Sequence, residues 1–366
     1  MIESITGMAV NYFIPASVLL GVLIFVHECG HFIVAKRIGV KVLKFSLGFG
    51  PKIIGRKIGD TEYVLSLLPL GGYVKPLGET PDEPVAAEER RFSLTHQSVP
   101  RRFAVLVAGS LFNILFAFLI FVCTYAVGVP ALTPRVGGII EGSPAQQAGL
   151  QQGDVVVAIN GTPIELWDDL SAMVEKSGGN PLTLTIKRNG QSVTCTIRPQ
   201  ATESRNVFGE TVRTYKIGIV NAGTPDAQII KRYHPATAIW KGAQDTVKWS
   251  VLTLKGFWVL VKSPIERRNE IGGPILIGKL AGDFAQAGML SFFMLMAMIS
   301  VNLGVLNLLP IPILDGGHIL FLLIEMIKGS PVSIRKMEIA QQIGLALLLT
   351  VMALVFYNDI TRFIPR

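Results

Sequence analysis

The chain has 366 residues, 50% of them hydrophobic and only 16% charged, with a mean hydropathy of +0.47. That balance excludes an ordinary soluble domain of this length and points to an integral membrane protein. The formal net charge of +8 does not indicate nucleic-acid binding, because a dense group of cations, from Lys36 to Arg102, lies between the first two apolar runs.

Four apolar stretches approach or exceed the roughly 20 residues that a helix needs to cross about 30 Å of hydrocarbon. They lie at about Phe13 to Ala35, Phe103 to Val127, Met289 to Leu309 and Ile343 to Ile364. The first has no Lys or Arg ahead of it and no small-residue cleavage site behind it, which argues against a cleaved signal peptide. By the positive-inside rule the segment between the first two spans is cytoplasmic. The N-terminus, the stretch between spans two and three and the C-terminus are then outside, while the loop with Lys328, Arg335 and Lys336 is inside. Cys29, Cys123 and Cys195 fall in unrelated segments and form no disulfide framework.

Within the first span, His27, Glu28 and His31 spell HExxH. At helical spacing the two histidines share a face and reach one metal ion, with Glu28 alongside but poorly placed as a ligand. The chemistry this pattern serves is zinc held by His27 and His31, with Glu28 as general base on zinc-bound water. Charged groups in a span are costly and default to a functional reading. Cys29, about 200° round the helix from each histidine, points away.

Residues 40–75 alternate short β-prone runs with the glycines Gly48, Gly50, Gly71 and Gly72, predicting hairpins that either dip into the membrane or remain cytosolic. Residues 79–91 read as a charged loop or short helix. Residues 131–200 shift in composition to short strands and turns, with Asn160-Gly161 and Asn189-Gly190 as hairpin turns and Ser143-Pro144 opening a helix. From about Pro235 to Lys262 apolar residues recur at three- and four-residue steps and lysines at every seventh. This suits an amphipathic helix along the outer membrane surface, with a fifth span as the alternative.

A catalytic zinc usually takes three protein ligands. Asp315, after a helix broken by Pro310 and Pro312, is the leading candidate for the third, and His318 is its rival. Asp315 also suits a helix cap. Asn302 and Asn307 are placed to partner backbone groups freed by the prolines.

Residues 137–170, with their SPAQQAGL and GDVVVAING runs, resemble a bacterial PDZ domain. The resemblance implies a groove that takes an extended chain end as an added strand, along Gly138, Ile139 and Ile140 and beside the helix near Leu166 to Met173. A spacer or steric shield is the alternative use.

HECGH, SLGFGPK, LPLGGYVK, the PDZ-like segment and NLLPIPILDGGH occur in one chain in this order. Together they resemble the site-2 protease family of intramembrane zinc metalloproteases, of the bacterial type that regulates sigma-E. The resemblance implies His27, His31 and Asp315 as Zn2+ ligands, Glu28 as catalytic acid/base, and Asn302 and Asn307 at the substrate or transition state. It also implies that Gly48, Gly50, Gly71 and Gly72 belong to a membrane-entering β-element that holds the substrate strand. Better-known members carry two PDZ domains, whereas this chain has room for one.

The fold class expected is a polytopic α-helical membrane protein of about four spans, with a membrane-associated β-element and one inserted extracytoplasmic α+β PDZ domain. Its parts are a membrane domain over 1–127, the PDZ domain over 131–200, a connector over 201–287 and a second membrane domain over 288–366. Its implied partners are the lipid bilayer and a single-pass membrane protein already shortened by another protease, in the bacterial inner membrane. Anti-sigma factors and remnant signal peptides are the family's substrates. A non-enzymatic membrane protein that binds chain ends, and a zinc transporter, are the competing readings.

Overall fold

A computed structural model describes residues 9–80, 83–206, 210–263 and 272–363. The chain forms two compact units, one from Met1–Thr124 with Pro235–Arg366 and the other from Tyr125–His234.

In the first unit, helix α1 (Ile14–Arg37) opens with a proline in its first turn and closes on Lys36 and Arg37, the charge order that the helix dipole favours. Its buried residues Leu19, Leu23, His27 and Gly30 recur at steps of three or four and form one face. Two long strands follow, β1 (Val42–Ile58) and β2 (Thr61–Pro76). Each bends midway, so residues 44–47 pair with both 62–65 and 72–75, while 52–58 pair with the other side of 61–66. The result is a four-segment sheet, antiparallel except where 44–47 runs alongside 62–65 in parallel, whose outer edge, 72–76, meets no further strand among the described residues. Gly48 and Gly71 make the bends, with φ of +90° and +124° that a side chain would strain.

Helix α2 (Val99–Val127) returns across the unit and packs closely on α1. A Cβ at Gly30 would sit 2.5 Å from the Ala108 carbonyl oxygen, so only glycine permits this approach. The second half of the unit contributes α5 (Pro235–Lys262), α6 (Pro274–Gln286), α7 (Met289–Asn307), α8 (Asp315–Lys328) and α9 (Ile334–Phe363). Leu19 and Leu23 of α1 bury against Ala281, Leu295 and Met296, and Ala117 and Phe121 of α2 against Ala297 and Val301.

Among the described residues, four helices are long and apolar enough to span a membrane: Val10–Arg37, Val99–Val127, Met289–Asn307 and Ile334–Arg362. The last begins earlier than hydropathy predicts, because the polar segment Arg335 to Glu338 continues the same helix; Ile364 lies outside the described residues. Helix α5 does not lie apart on a surface. Gly242 meets Val122 of α2, Ala238 and Thr246 are buried, and Trp240, Val247, Val251 and Trp258 face outward as an apolar stripe.

In the second unit, β3 (Val129–Leu132) pairs with β12 (Gln228–Lys231), which brings the entering and leaving chain together. Strands β5 (Val155–Ile159), β6 (Thr162–Pro163), β7 (Leu182–Arg188) and β8 (Gln191–Ile197) form a sheet in the order β6-β5-β7-β8. Helix α3 (Pro144–Gln147) is capped by Ser143, and α4 (Trp167–Lys176) places Leu170 and Val174 on the core of Val156, Ile159, Leu184 and Ile186. Asn160 and Asn189 adopt φ of +49° and +51°, as the predicted hairpin turns require.

The unit does not stop at residue 200. Strand β4 (Val136–Ile139) pairs with β11 (Ile219–Asn221), and β9 (Gln200–Arg205) with β10 (Thr211–Lys216), so the first part of the expected connector, up to His234, belongs to this unit. The β4–β11 pairing joins residues about 80 apart, a distance at which local pattern carries no signal.

Asp154, buried between β4 and β5, accepts from Arg188 Nε at 2.8 Å, Arg188 Nη2 at 2.7 Å and the Gln151 N–H at 2.8 Å. Burial pushes its carboxyl up, but Arg188 and the Gln151 N–H outweigh it and hold the group below the usual carboxylate range. The unfolded carboxyl therefore binds more protons in acid. Its stabilisation is full above about pH 4 and is lost as pH falls through the folded value. Hydrogen exchange of β5 and β7 in the whole protein should accelerate below that pH. In Asp154→Asn it should be faster already at neutral pH and depend less on acid.

Candidate active site

His27 and His31 project from the inner face of α1, and Asp315 is the first residue of α8. The proline-containing loop ahead of α8 satisfies its freed backbone locally. Ile311 N–H donates to Leu309 O at 2.7 Å, Leu314 N–H to Ile311 O at 2.9 Å and Gly317 N–H to Leu314 O at 2.9 Å. Gly316 and Gly317 let this loop fold onto the helix start, since a Cβ on either would strike loop backbone at 2.0 and 2.4 Å. Asn302 and Asn307 are not needed there. Asn302 instead accepts from the Thr253 hydroxyl of α5, and Asn307, the last residue of α7, lies about 140° further round the helix.

The ligand atoms converge. His27 Nε2 lies 3.1 Å from His31 Nε2 and 3.1 Å from Asp315 Oδ2, and the third side of the triangle, His31 Nε2 to Asp315 Oδ2, is 3.4 Å. Ligands about 2.0–2.1 Å from a tetrahedral zinc are separated by roughly 3.3–3.4 Å, so this donor set fits that ion. His31 Nδ1 donates to the Val105 carbonyl at 2.8 Å, which keeps its Nε2 lone pair free for a metal. Asp315 Oδ2 is buried with no hydrogen-bond donor, an arrangement that a cation resolves.

Gly109 of α2 is what makes room. A Cβ there would lie 2.4 Å from His31 Nε2 and 2.7 Å from His27 Cε1. Sequence reading passes over both Gly109 and the Val105 carbonyl; the small run Ala108-Gly109-Ser110 is visible, but nothing in its spacing says which helix it faces.

Glu28 stays out of the triangle and turns toward the sheet edge. Gly72 is close enough that a Cβ on it would lie 3.7 Å from Glu28 Cγ, and the Val74 N–H faces the Glu28 carboxylate. Gly72 thus adjoins Glu28, whereas Gly48, Gly50 and Gly71 shape the bends of the sheet. His318 does not join the three-ligand cluster. It lines a cavity of about 110 Å³ with Glu79, Arg102 and Glu325.

In the second unit a cleft of about 680 Å³ runs beside α4, lined by Trp167, Leu170, Val174, Ile217 and Ile219. Of the expected groove residues Ile140 lines it, while Gly138 and Ile139 do not. Strand β4 pairs with β11 there, so the strand bordering the cleft is β11.

A Campylobacter jejuni protein, Cj1068, named by inference as a zinc metalloprotease, is 37% identical over 353 residues, 96% of this chain and 94% of its own. The regulator of sigma-E protease RseP of Salmonella typhimurium is 32% identical over 445 residues, covering 94% of this chain and 97% of its own. Among solved structures, the PDZ domain of the SdrC-like protein Lmo2051 from Listeria monocytogenes aligns with 24% of this chain and 84% of its own, at 19% identity and a TM-score of 0.20. The profile of peptidase family M50 matches residues 15–351, a span that holds both histidines, Glu28 and Asp315, and the chain belongs to that family of zinc metalloendopeptidases.

Proposed function

We propose that His27, His31 and Asp315 hold the zinc and that Glu28 is the catalytic acid/base for cleavage within the spans of single-pass membrane proteins. The observation that carries this reading is the convergence of the three ligand atoms beside Glu28 and an unpaired sheet edge.

A substrate helix hides its carbonyls in its own hydrogen bonds, so it must unwind first. The 72–76 edge offers backbone partners to an extended segment and lays it against Glu28. Zinc, when bound, polarises the scissile carbonyl and lowers the pKa of water. Glu28 takes the proton of the attacking water and delivers it to the leaving amide nitrogen. The run from Ile14 to Val26, at about 1.5 Å per residue, carries the site about 20 Å in from the outer face, so cleavage falls in the cytosolic third of the membrane.

The topology that fits the charges has both termini and the second unit outside a bacterial inner membrane. The second unit then screens the outer part of the substrate and admits chains already shortened by another protease; anti-sigma factors and remnant signal peptides suit that description. The test is purified protein in vesicles, given a single-span substrate with its outer part either intact or trimmed. Mass spectrometry should place the cut inside the span, with the trimmed form cut faster and chelation stopping both. Cuts confined to the soluble part of the substrate would overturn the reading.

A further inference from the structure

Around the zinc ligands, His27 Nδ1, Ser110 Oγ and both amide atoms of Asn113 are buried without a hydrogen-bond partner. Ser110 and Asn113 are wholly inaccessible, so an unmet donor or acceptor there is costly, and more so in a membrane. These groups gather where α1, α2 and α7 meet. Gly109 abuts the His27 ring, and Gly304 of α7 abuts the Ser110 carbonyl and Asn113 Cβ. Ser300 Oγ donates to the Asn113 backbone carbonyl at 2.8 Å, which anchors that turn of α2 and leaves the amide side chain unused.

Helices α1 and α2 run antiparallel, with His31 opposite Val105, Gly30 opposite Ala108 and His27 opposite Gly109. Helical side chains lean toward the N-terminus of their own helix. Asn113, one turn beyond Gly109, therefore leans back to the level of His27, while His27 leans toward the level of Asn113.

An imidazole that ligates through Nε2 carries its proton on Nδ1 and needs an acceptor for it. The Val105 carbonyl serves His31, and among the described residues no protein atom serves His27 Nδ1. We propose that Ser110 and Asn113 hold a water between them that accepts the His27 Nδ1–H, making Asn113 the positioning residue of this ligand. The proposal rests on His27 being a zinc ligand. The chemistry is that of a buried polar pocket satisfied by water, with two to four partners per molecule.

The test is zinc affinity of the full-length protein, measured by competition with a chromophoric chelator, alongside thermal unfolding. Asn113→Leu, close in size but apolar, should weaken zinc binding by about 10- to 100-fold. Asn113→Asp keeps an acceptor and should recover most of the affinity; Ser110→Ala, a small truncation that spares the fold, should lose part of it. Wild-type affinity in both Asn113→Leu and Ser110→Ala would overturn the proposal. So would equal weakening in Asn113→Leu and Asn113→Asp, which would mark a packing role. His27→Ala separates the two layers: loss of zinc there with no effect at Asn113 rejects only the positioning, whereas retention of zinc rejects the ligand and the positioning together.

Discussion

Glu28→Gln should bind one zinc per chain, the same as the wild type is expected to, and cut single-span substrates about 10²- to 10⁴-fold more slowly. The amide preserves the shape of the side chain but cannot take a proton from water. A loss of that size corresponds to about 2.7–5.4 kcal/mol of transition-state stabilisation. The zinc should stay, because the three atoms that converge belong to His27, His31 and Asp315 and not to Glu28. Zinc content by elemental analysis and single-turnover cleavage in the same preparation check both halves. An active Glu28→Gln protein would remove Glu28 from the mechanism. A zinc-free one would place it in the ligand set.

Gly109→Ala should strip the site by sterics alone. The added methyl would lie 2.4 Å from His31 Nε2 and 2.8 Å from His27 Nε2, the two atoms that face Asp315. Neither ring can yield without leaving the triangle, because His31 is tied to the Val105 carbonyl and α1 is locked on α2 at Gly30. Zinc affinity should fall on the order of 100-fold, the upper range seen when groups that orient ligands are disturbed. Leu111→Ala, on the outward side of the same helix, is the control and should leave zinc binding unchanged. If Gly109→Ala binds zinc normally, α1 and α2 are not as close as described.

Much of the site was legible because its signals are local. HExxH states its geometry through helical periodicity, and a carboxylate flanked by two imidazoles is too costly inside an apolar run to persist without a chemical role. Two closely spaced prolines announce the break that precedes Asp315. His318, the rival to Asp315, is separated from it by the loop folding onto Gly316 and Gly317, which aims the first residue of α8 at the histidines. The asparagines show the opposite case: their helix was evident, but Asn302 is turned toward Thr253 on a segment about 50 positions away. Strand β11 is hidden for the same reason, as three residues gain meaning only through pairing with β4.

By itself the sequence determined the membrane class, the four apolar helices, the turn chemistry of the inserted unit and the shared face of the HExxH histidines. Each is written in composition or in a period of two to four residues, within reach of a single element's geometry. The tertiary structure alone decided which carboxylate meets the two histidines, which strand borders the cleft, that Gly109 clears the space for two imidazoles, and that HECGH lies against the free edge at Gly72. Those outcomes depend on close approach between segments far apart in the chain, where one methyl group decides whether helices meet.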